Sequence, residues 1–232
     1  MTRSALVVRG GWSGHSPVET TDLFIPYLEQ NGFTVDVADS PEPFADEALM
    51  AGTDLIVLCF TMGTIEPKQA NGLSAAVRAG TGLAGWHGGI VDAFRGSLTY
   101  LHLLGAQFVA HPAKPPEELV VPDVAENYFR THRVAIRPEA ATHPIVDGIE
   151  DFELTTEHYW VATDAYLDVL ATTTMPARDG DPWNRPVTMP AIWTRNWGAG
   201  RVMVATPGHD VRVLQHPSVK TVIERGMLWA SR

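Results

Sequence analysis

The segment Leu55-Ile-Val-Leu-Cys-Phe60, entered from Asp54, is a continuous apolar run with no polar alternation. Such a run fits a strand covered on both faces, and strands of that kind belong to parallel sheets with crossover helices on either side. The flanking sequence supplies the partners. Residues 5–9 form a first β-rich run, and a polar loop, Gly10-Gly-Trp-Ser-Gly-His15, follows it. In Ser16-Pro17-Val18-Glu19 the serine suits a cap, the proline a first helical position and the glutamate a capping box. A helix is therefore predicted from Pro17 through Leu23, Ile25, Tyr27 and Leu28, stopping at Asn31-Gly32, with a second strand over 33–37. A weak helix is predicted over 44–50 and a stronger one over 67–79, ended by Gly80 and Gly82. Leu83-Ala-Gly-Trp86 is a fourth strand that runs into a sharp turn at His87-Gly88-Gly89.

From 108 to 174 the pattern becomes irregular, with short β-like runs at 133–136 and 168–173, as expected of an antiparallel extension or a cap over the sheet. Order returns in a hairpin, 191–195 with 201–205, and a final helix over 218–230. The prolines at 112–122 and 176–190 read as rigid loops rather than linkers, and no internal repeat is visible. The expectation is one α/β domain spanning 1–232, a mostly parallel sheet with an antiparallel extension.

Charge narrows the function classes. Seventeen Lys+Arg against 27 Asp+Glu leave a net charge of −10, and the only lysines are Lys68, Lys114 and Lys220. No basic surface for nucleic acid is expected. No apolar run approaches the roughly 20 residues of a membrane span, and the N-terminal residues, which enter the apolar run at 5–9 directly, lead to the expectation of no secretory leader. With one cysteine, Cys59, a cytoplasmic location is the expectation; a homo-oligomer stays open. Neither a Walker A sequence nor a Gly-x-Gly-x-x-Gly after the first strand is present, so no nucleotide cofactor is expected.

Three histidines, His15, His87 and His209, each stand where a strand ends and a glycine-rich loop follows. In open α/β sheets ligands bind outside the carboxyl ends of the strands, so the three are expected to line one crevice, with the first, fourth and late strands side by side. Gly85-Trp-His87-Gly-Gly89 has the form of a nucleophile elbow with imidazole where serine or cysteine would stand, which favours acid/base work or metal ligation over acyl transfer. Asp210 is placed either to orient His209 or to cap the next segment. In Thr155-Thr-Glu-His-Tyr-Trp160, period-two geometry puts Glu157 with Tyr159 and His158 opposite. Histidines plus one carboxylate suit a divalent ion, zinc first, although no HExxH or CxxC spacing marks one. His111, His143 and His216 each precede proline and read as loop structure, His111 with a route to the crevice. Cys59 reads as an inert buried thiol. Trp193 and Trp229 read as core, and Trp12 as a rim residue able to stack on a sugar. For an anionic substrate, Arg95 and Arg195 would be the residues to examine.

The ordered set Gly14-His15, Trp86-His87-Gly88, Phe108-Val-Ala-His111-Pro112, His143-Pro-Ile-Val-Asp-Gly148, Glu157-x-Tyr159, Trp193-Thr-Arg195 and Gly208-His209-Asp210 resembles the ThuA-like (trehalose utilisation) family over nearly the whole chain. The resemblance implies a class I glutamine amidotransferase-like, flavodoxin-like three-layer sandwich, with His87 where the amidotransferases carry their cysteine. Without that cysteine, glutaminase activity is not expected, and Cys59 lies on an earlier strand. The resemblance implies a carbohydrate-processing hydrolase or lyase acting on keto-sugar intermediates of trehalose-like disaccharides. Matched by motif, the catalytic set is His87, Glu157, Tyr159 and His209, with Trp12 and His111 for substrate. A metal set of His15, His87, Glu157 and His209 accompanies it, Glu157 being fourth ligand or general base. The competing reading is a noncatalytic sugar-binding or regulatory protein with the same fold.

Overall fold

The structure, a computed structural model, describes residues 3–112 and 128–232. In chain order the elements are β1 (Arg3–Gly11), α1 (Pro17–Asp22), α2 (Ile25–Gln30), β2 (Phe33–Ala38), α3 (Glu47–Gly52), β3 (Leu55–Thr61), α4 (Pro67–Ala79), β4 (Gly82–Trp86), α5 (Gly88–Val91), α6 (Leu98–Leu104) and β5 (Ala106–Ala110). There follow β6 (Phe129–Ile136), β7 (Phe152–Glu157), β8 (Trp160–Thr163), β9 (Asp168–Met175), β10 (Val187–Trp197), β11 (Gly200–Ala205), α7 (Val211–Leu214) and α8 (Pro217–Ala230).

Among the described residues a nine-stranded sheet runs β2-β1-β3-β4-β11-β10-β9-β6-β7. The first five strands are parallel and the last four antiparallel. The run at 55–61 is the central parallel strand, and its side chains alternate between two cores. Leu55, Val57 and Cys59 pack with Phe24, Leu28, Val222, Ile223 and Met227 on one face. Ile56 and Leu58 pack with Phe44, Leu73, Val77 and Leu103 on the other. Each such burial contributes about 1.5–3 kcal/mol, and the result is the flavodoxin-like three-layer sandwich.

Several local expectations are corrected. The helix expected over 17–31 is two, α1 and α2, because Pro26 offers no N–H to the carbonyl of Asp22 and its ring crowds that turn. The capping box at Ser16 does not form: Ser16 is left-handed (φ 44°) and makes no side-chain cap, since the chain turns there after a 3-10 turn that drives His15 inward. The helix over 44–50 is a 3-10 turn at 42–45 and then α3, reset by Asp46, whose Oδ1 accepts from the amides of Ala48 and Leu49 at 3.0 Å each. The first, fourth and late strands are not all neighbours, because β3 lies between β1 and β4; only β4 and β11 pair directly. Trp193 is core as expected, and Trp229 is half-buried, packed against one core cluster with Arg201 5.3 Å from its ring centroid.

The irregular stretch resolves into both alternatives at once. β6, β7, β9 and β10 extend the main sheet, and β5 pairs with β8 as a separate antiparallel ribbon. The proline-rich loop expected at 112–122 lies, from 113 onward, outside the described residues. A β-bulge between Pro190 and Ile192 breaks the register of β9 and β10, and bulges bend strands. β7 is the far edge of the sheet, yet its last residue meets His87, so the antiparallel half curls back over the carboxyl ends of the parallel strands.

Candidate functional site

The sharp turn after β4 is the centre of the site. His87 has φ 51° and ψ −147°, a region that costs of order 1–3 kcal/mol for a residue other than glycine. Neighbouring β11 holds it there. The His87 amide donates to the Ala205 carbonyl at 2.7 Å, and Nδ1 donates to the Thr206 carbonyl at 2.7 Å. The glycines that follow are required by contact. A β-carbon on Gly88 would stand 2.5 Å from His15 Cε1, and one on Gly89 would stand 2.7 Å from the Cys59 Cα. The elbow thus seats α5 directly against His15 and β3.

His15 arrives from the loop after β1, with Nδ1 2.9 Å from Thr61 Oγ1 at the end of β3. His209 follows β11. Glu157, from the end of β7, closes the group: its Oε2 lies 2.8 Å from His87 Nε2, 3.1 Å from His209 Nδ1 and 3.7 Å from His15 Nε2. All four side chains are buried, and one ligand atom from each lies within 4.8 Å of the others. The imidazole rings meet edge to face, with centroids 4.6–5.4 Å apart. This cluster could hold a metal ion.

Burial is the largest influence on His87 and pushes its pKa down to about 3, against the opposing pull of Glu157. Burial alone would raise the Glu157 carboxyl, but contacts with His15, His209 and His87 outweigh it and hold the group well below the usual carboxylate range. An ionised carboxylate beside a neutral imidazole is the protonation state in which such groups bind a cation. Of the buried polar atoms without a hydrogen bond, His209 Nδ1 belongs to this cluster.

A crevice of about 420 Å³ opens above His15 and Glu157, within the usual size of a small-molecule site. Tyr159 lines it, stacked on His87 at 4.1 Å between centroids. Burial raises its phenol well above the ordinary value, and the Gly88 amide donates to its oxygen. His158 lies apart, stacked on His132 and bonded to Thr173 at 2.8 Å. His111 lines the wall, its Nε2 3.7 Å from Glu157 Oε1, and Trp12 stands at the rim, 43% exposed.

Other candidates fall elsewhere. Asp210 caps α7, accepting from the Val213 amide at 3.1 Å, rather than orienting His209. Cys59 is buried beneath Gly89, and desolvation pushes its thiol up to about 11. Arg195 is buried against Asp164 at 3.0 Å, outside the crevice lining. His143 and His216 are also outside it. Sequence reasoning overlooked Thr61, Asp92 and Tyr128. Thr61 carried a usable signal, since it ends the central strand at the same level as the histidine loops. Asp92 and Tyr128 carried none.

A family model described as ThuA, trehalose utilisation, matches residues 4–230. The fold is similar to a ThuA-like protein from Parabacteroides merdae ATCC 43184 (TM-score 0.73, 18% identity, 99% of this chain and 90% of that one). It is also similar to a ThuA-like protein from Bacteroides uniformis ATCC 8492 (TM-score 0.71, 14% identity, 98% and 91%). A third likeness is to a cytoplasmic protein from Salmonella typhimurium LT2 (TM-score 0.63, 15% identity, 99% and 100%). No curated protein matches the sequence. Among the described residues, no helix is long and apolar enough to cross a membrane.

Proposed function

The chain belongs to the ThuA family, described as trehalose utilisation, and from that premise we propose a carbohydrate-processing enzyme. It is a hydrolase or lyase acting on trehalose-like disaccharides at the keto-sugar stage, with a divalent ion held by His15, His87, Glu157 and His209. The observation that carries this reading is the contact between His87 and Glu157. A carbonyl only accepts, so the contact with Thr206 puts the ring proton of His87 on Nδ1. Nε2 of the neutral ring then carries a lone pair 2.8 Å from a carboxylate oxygen. Two acceptors so close repel one another unless a proton or a metal ion lies between them, and the orphaned Nδ1 of His209, 3.1 Å from the same oxygen, adds a third donor atom for an ion.

The donor set supports the fit. Atoms about 2.0–2.1 Å from one ion stand roughly 2.9–3.5 Å apart; the separations to Glu157 Oε2 are 2.8, 3.1 and 3.7 Å, and with the four ligand atoms spread over up to 4.8 Å the rings would draw together around an ion. Three imidazoles and a carboxylate suit zinc among the divalent ions. When bound, such an ion supplies a Lewis acid that polarises a carbonyl or acidifies water.

The remaining chemistry falls to the chain's own groups. Glu157 turns Oε2 to the histidines and Oε1 towards His111 and the crevice, so Oε1 is the oxygen that can take a proton. Tyr159 stays protonated through the physiological range and can donate to a substrate oxygen. A ketone acidifies the neighbouring C–H, so expulsion of a glycosidic oxygen needs a base at that proton and a donor to the leaving oxygen. Glu157 and Tyr159 are the groups placed for the two, Glu157 as a weak base and Tyr159 as a weak acid until a bound substrate or ion alters their surroundings.

Two measurements test the reading: elemental analysis of protein purified without a chelating tag, and turnover of a keto-disaccharide by the wild type and His87→Ala. A bound divalent ion, with turnover lost in the variant, is the expected result. Protein that neither carries nor takes up zinc refutes the ion, and sugar binding without turnover replaces the enzyme with a noncatalytic binding protein.

A further inference from the structure

The lining of the crevice carries an ion pair that the chemistry above does not use. Arg95 lines the crevice with about half of its side chain exposed, and Asp92, at the end of α5, is buried beside it. The carboxylate grips the guanidinium along one edge: Oδ2 accepts from Nη2 at 2.6 Å, and Oδ1 accepts from Nε. Asp92 is itself anchored, its main-chain carbonyl accepting from the Met62 amide at 2.8 Å. The guanidinium is therefore fixed, while Nη1 has no hydrogen-bond partner among the described residues. A planar fork held still loses little entropy when it donates to a ligand.

We propose that Arg95 is the specificity-determining residue of the crevice and that it selects a neutral, unphosphorylated sugar by donating from its free edge to adjacent hydroxyls. The assignment rests on the carbohydrate reading above and names the class of sugar. Charge supports it. Arg95 is the sole lysine or arginine in the described lining, and the carboxylate of Asp92 lies against it, so its charge is compensated. A phosphate site presents uncompensated Arg or Lys, or a free helix N-terminus. Here the first amide of α5 is already given to Tyr159. What the crevice offers besides the fork is aromatic: Trp12 at the rim, with Phe108 and Tyr128, surfaces that accept the C–H face of a sugar ring.

The test is equilibrium binding of trehalose and trehalose 6-phosphate to the full chain, read by tryptophan fluorescence, for the wild type, Arg95→Ala, Arg95→Lys and Asp92→Asn. Wild type is expected to bind trehalose at least about 10-fold more tightly than its phosphate, and Arg95→Ala to lose about 10-fold or more for trehalose. Arg95→Lys keeps the charge but not the fork, so the loss is expected to persist. Asp92→Asn uncovers the cation and is expected to narrow the preference against the phosphate. Wild-type trehalose affinity in either Arg95 variant, or tighter binding of the phosphate by the wild type, overturns the assignment while leaving the sugar reading intact. Failure of the folded wild type to bind either sugar overturns the sugar reading itself and this assignment with it.

Discussion

Gly88→Ala isolates the packing on which the site depends. Its backbone is not in the left-handed region, so alanine meets no conformational penalty, and the whole effect comes from one methyl group. That carbon would lie 2.5 Å from His15 Cε1, 2.8 Å from its Nδ1 and 3.0 Å from the Tyr159 hydroxyl, against an ordinary carbon contact of about 3.5–4.0 Å. His15 has little room to retreat. Trp12 stands edge-on at 4.8 Å, His87 and His209 lie at 4.6 and 5.0 Å, and Nδ1 is bonded to Thr61. Overpacking of this kind costs about 1–3 kcal/mol, and breaking the Thr61 bond adds about 1 kcal/mol. At about 2–4 °C per kcal/mol for a chain of this length, Tm should fall by roughly 4–16 °C. Zinc affinity should fall about 10- to 100-fold as His15 leaves its place. Thermal unfolding and zinc titration measure the two effects. Gly96→Ala, where a β-carbon meets nothing within 4 Å, is the control and should change stability by less than about 0.5 kcal/mol. A Gly88→Ala protein as stable as the control, with undiminished zinc binding, would refute the claim that the elbow glycine is what seats His15.

Thr61→Val, which keeps shape but removes the hydroxyl beside His15 Nδ1, should weaken zinc binding about 10-fold in a calorimetric titration; unchanged affinity would show that Thr61 does not orient the ring. Cys59→Ser should cost about 1 kcal/mol in urea unfolding, and Cys59 should resist a thiol reagent at pH 8, since desolvation raises the thiol to about 11. Because that folded value lies above the unfolded one, the contribution is complete below about pH 9 and fades as pH rises through 11; rapid labelling of native protein at pH 8 would contradict it. Asp54 accepts from the Ser4 amide and from Arg232 Nε, both at 2.8 Å, and these contacts outweigh desolvation to lower its pKa. Its contribution is therefore present above the ordinary carboxylate range and lost as pH falls through the depressed value. Asp54→Asn should remove about 1 kcal/mol at pH 7 and flatten the acid limb of the stability profile; an unaltered limb would exclude Asp54 as its source.

The parallel half of the fold was legible because its information is local. The run at 55–60 needs no knowledge of its neighbours to read as a doubly covered strand, and α4 carries its own start at Pro67 and its own stop at Gly80. Where the reading failed, a neighbour outvoted the local signal. Ser16 is a good cap by composition, yet the chain must first bury His15, and the left-handed turn this requires takes the hydroxyl away from the helix. Pro26 was a legible breaker within an otherwise persuasive apolar period.

The site divides along the same line. His15, His87 and His209 were recognisable from topology alone, as three imidazoles following three strands whose carboxyl ends share an edge of the sheet. Their common partner is another matter: Glu157 ends an edge strand and reaches them because the antiparallel half bends back, and although Pro190 marks a break in the strand register, the local sequence does not say which way the strands then turn. The interposed β3, which spoils the expected neighbourhood of strands, also brings Thr61 under His15. A flat extension would leave Glu157 far from the parallel strands. Curvature therefore brings Glu157 to the histidines: if the four hold a cation as proposed, changes that flatten the antiparallel half should weaken its binding in a zinc titration without touching a single proposed ligand, and unchanged affinity would refute this.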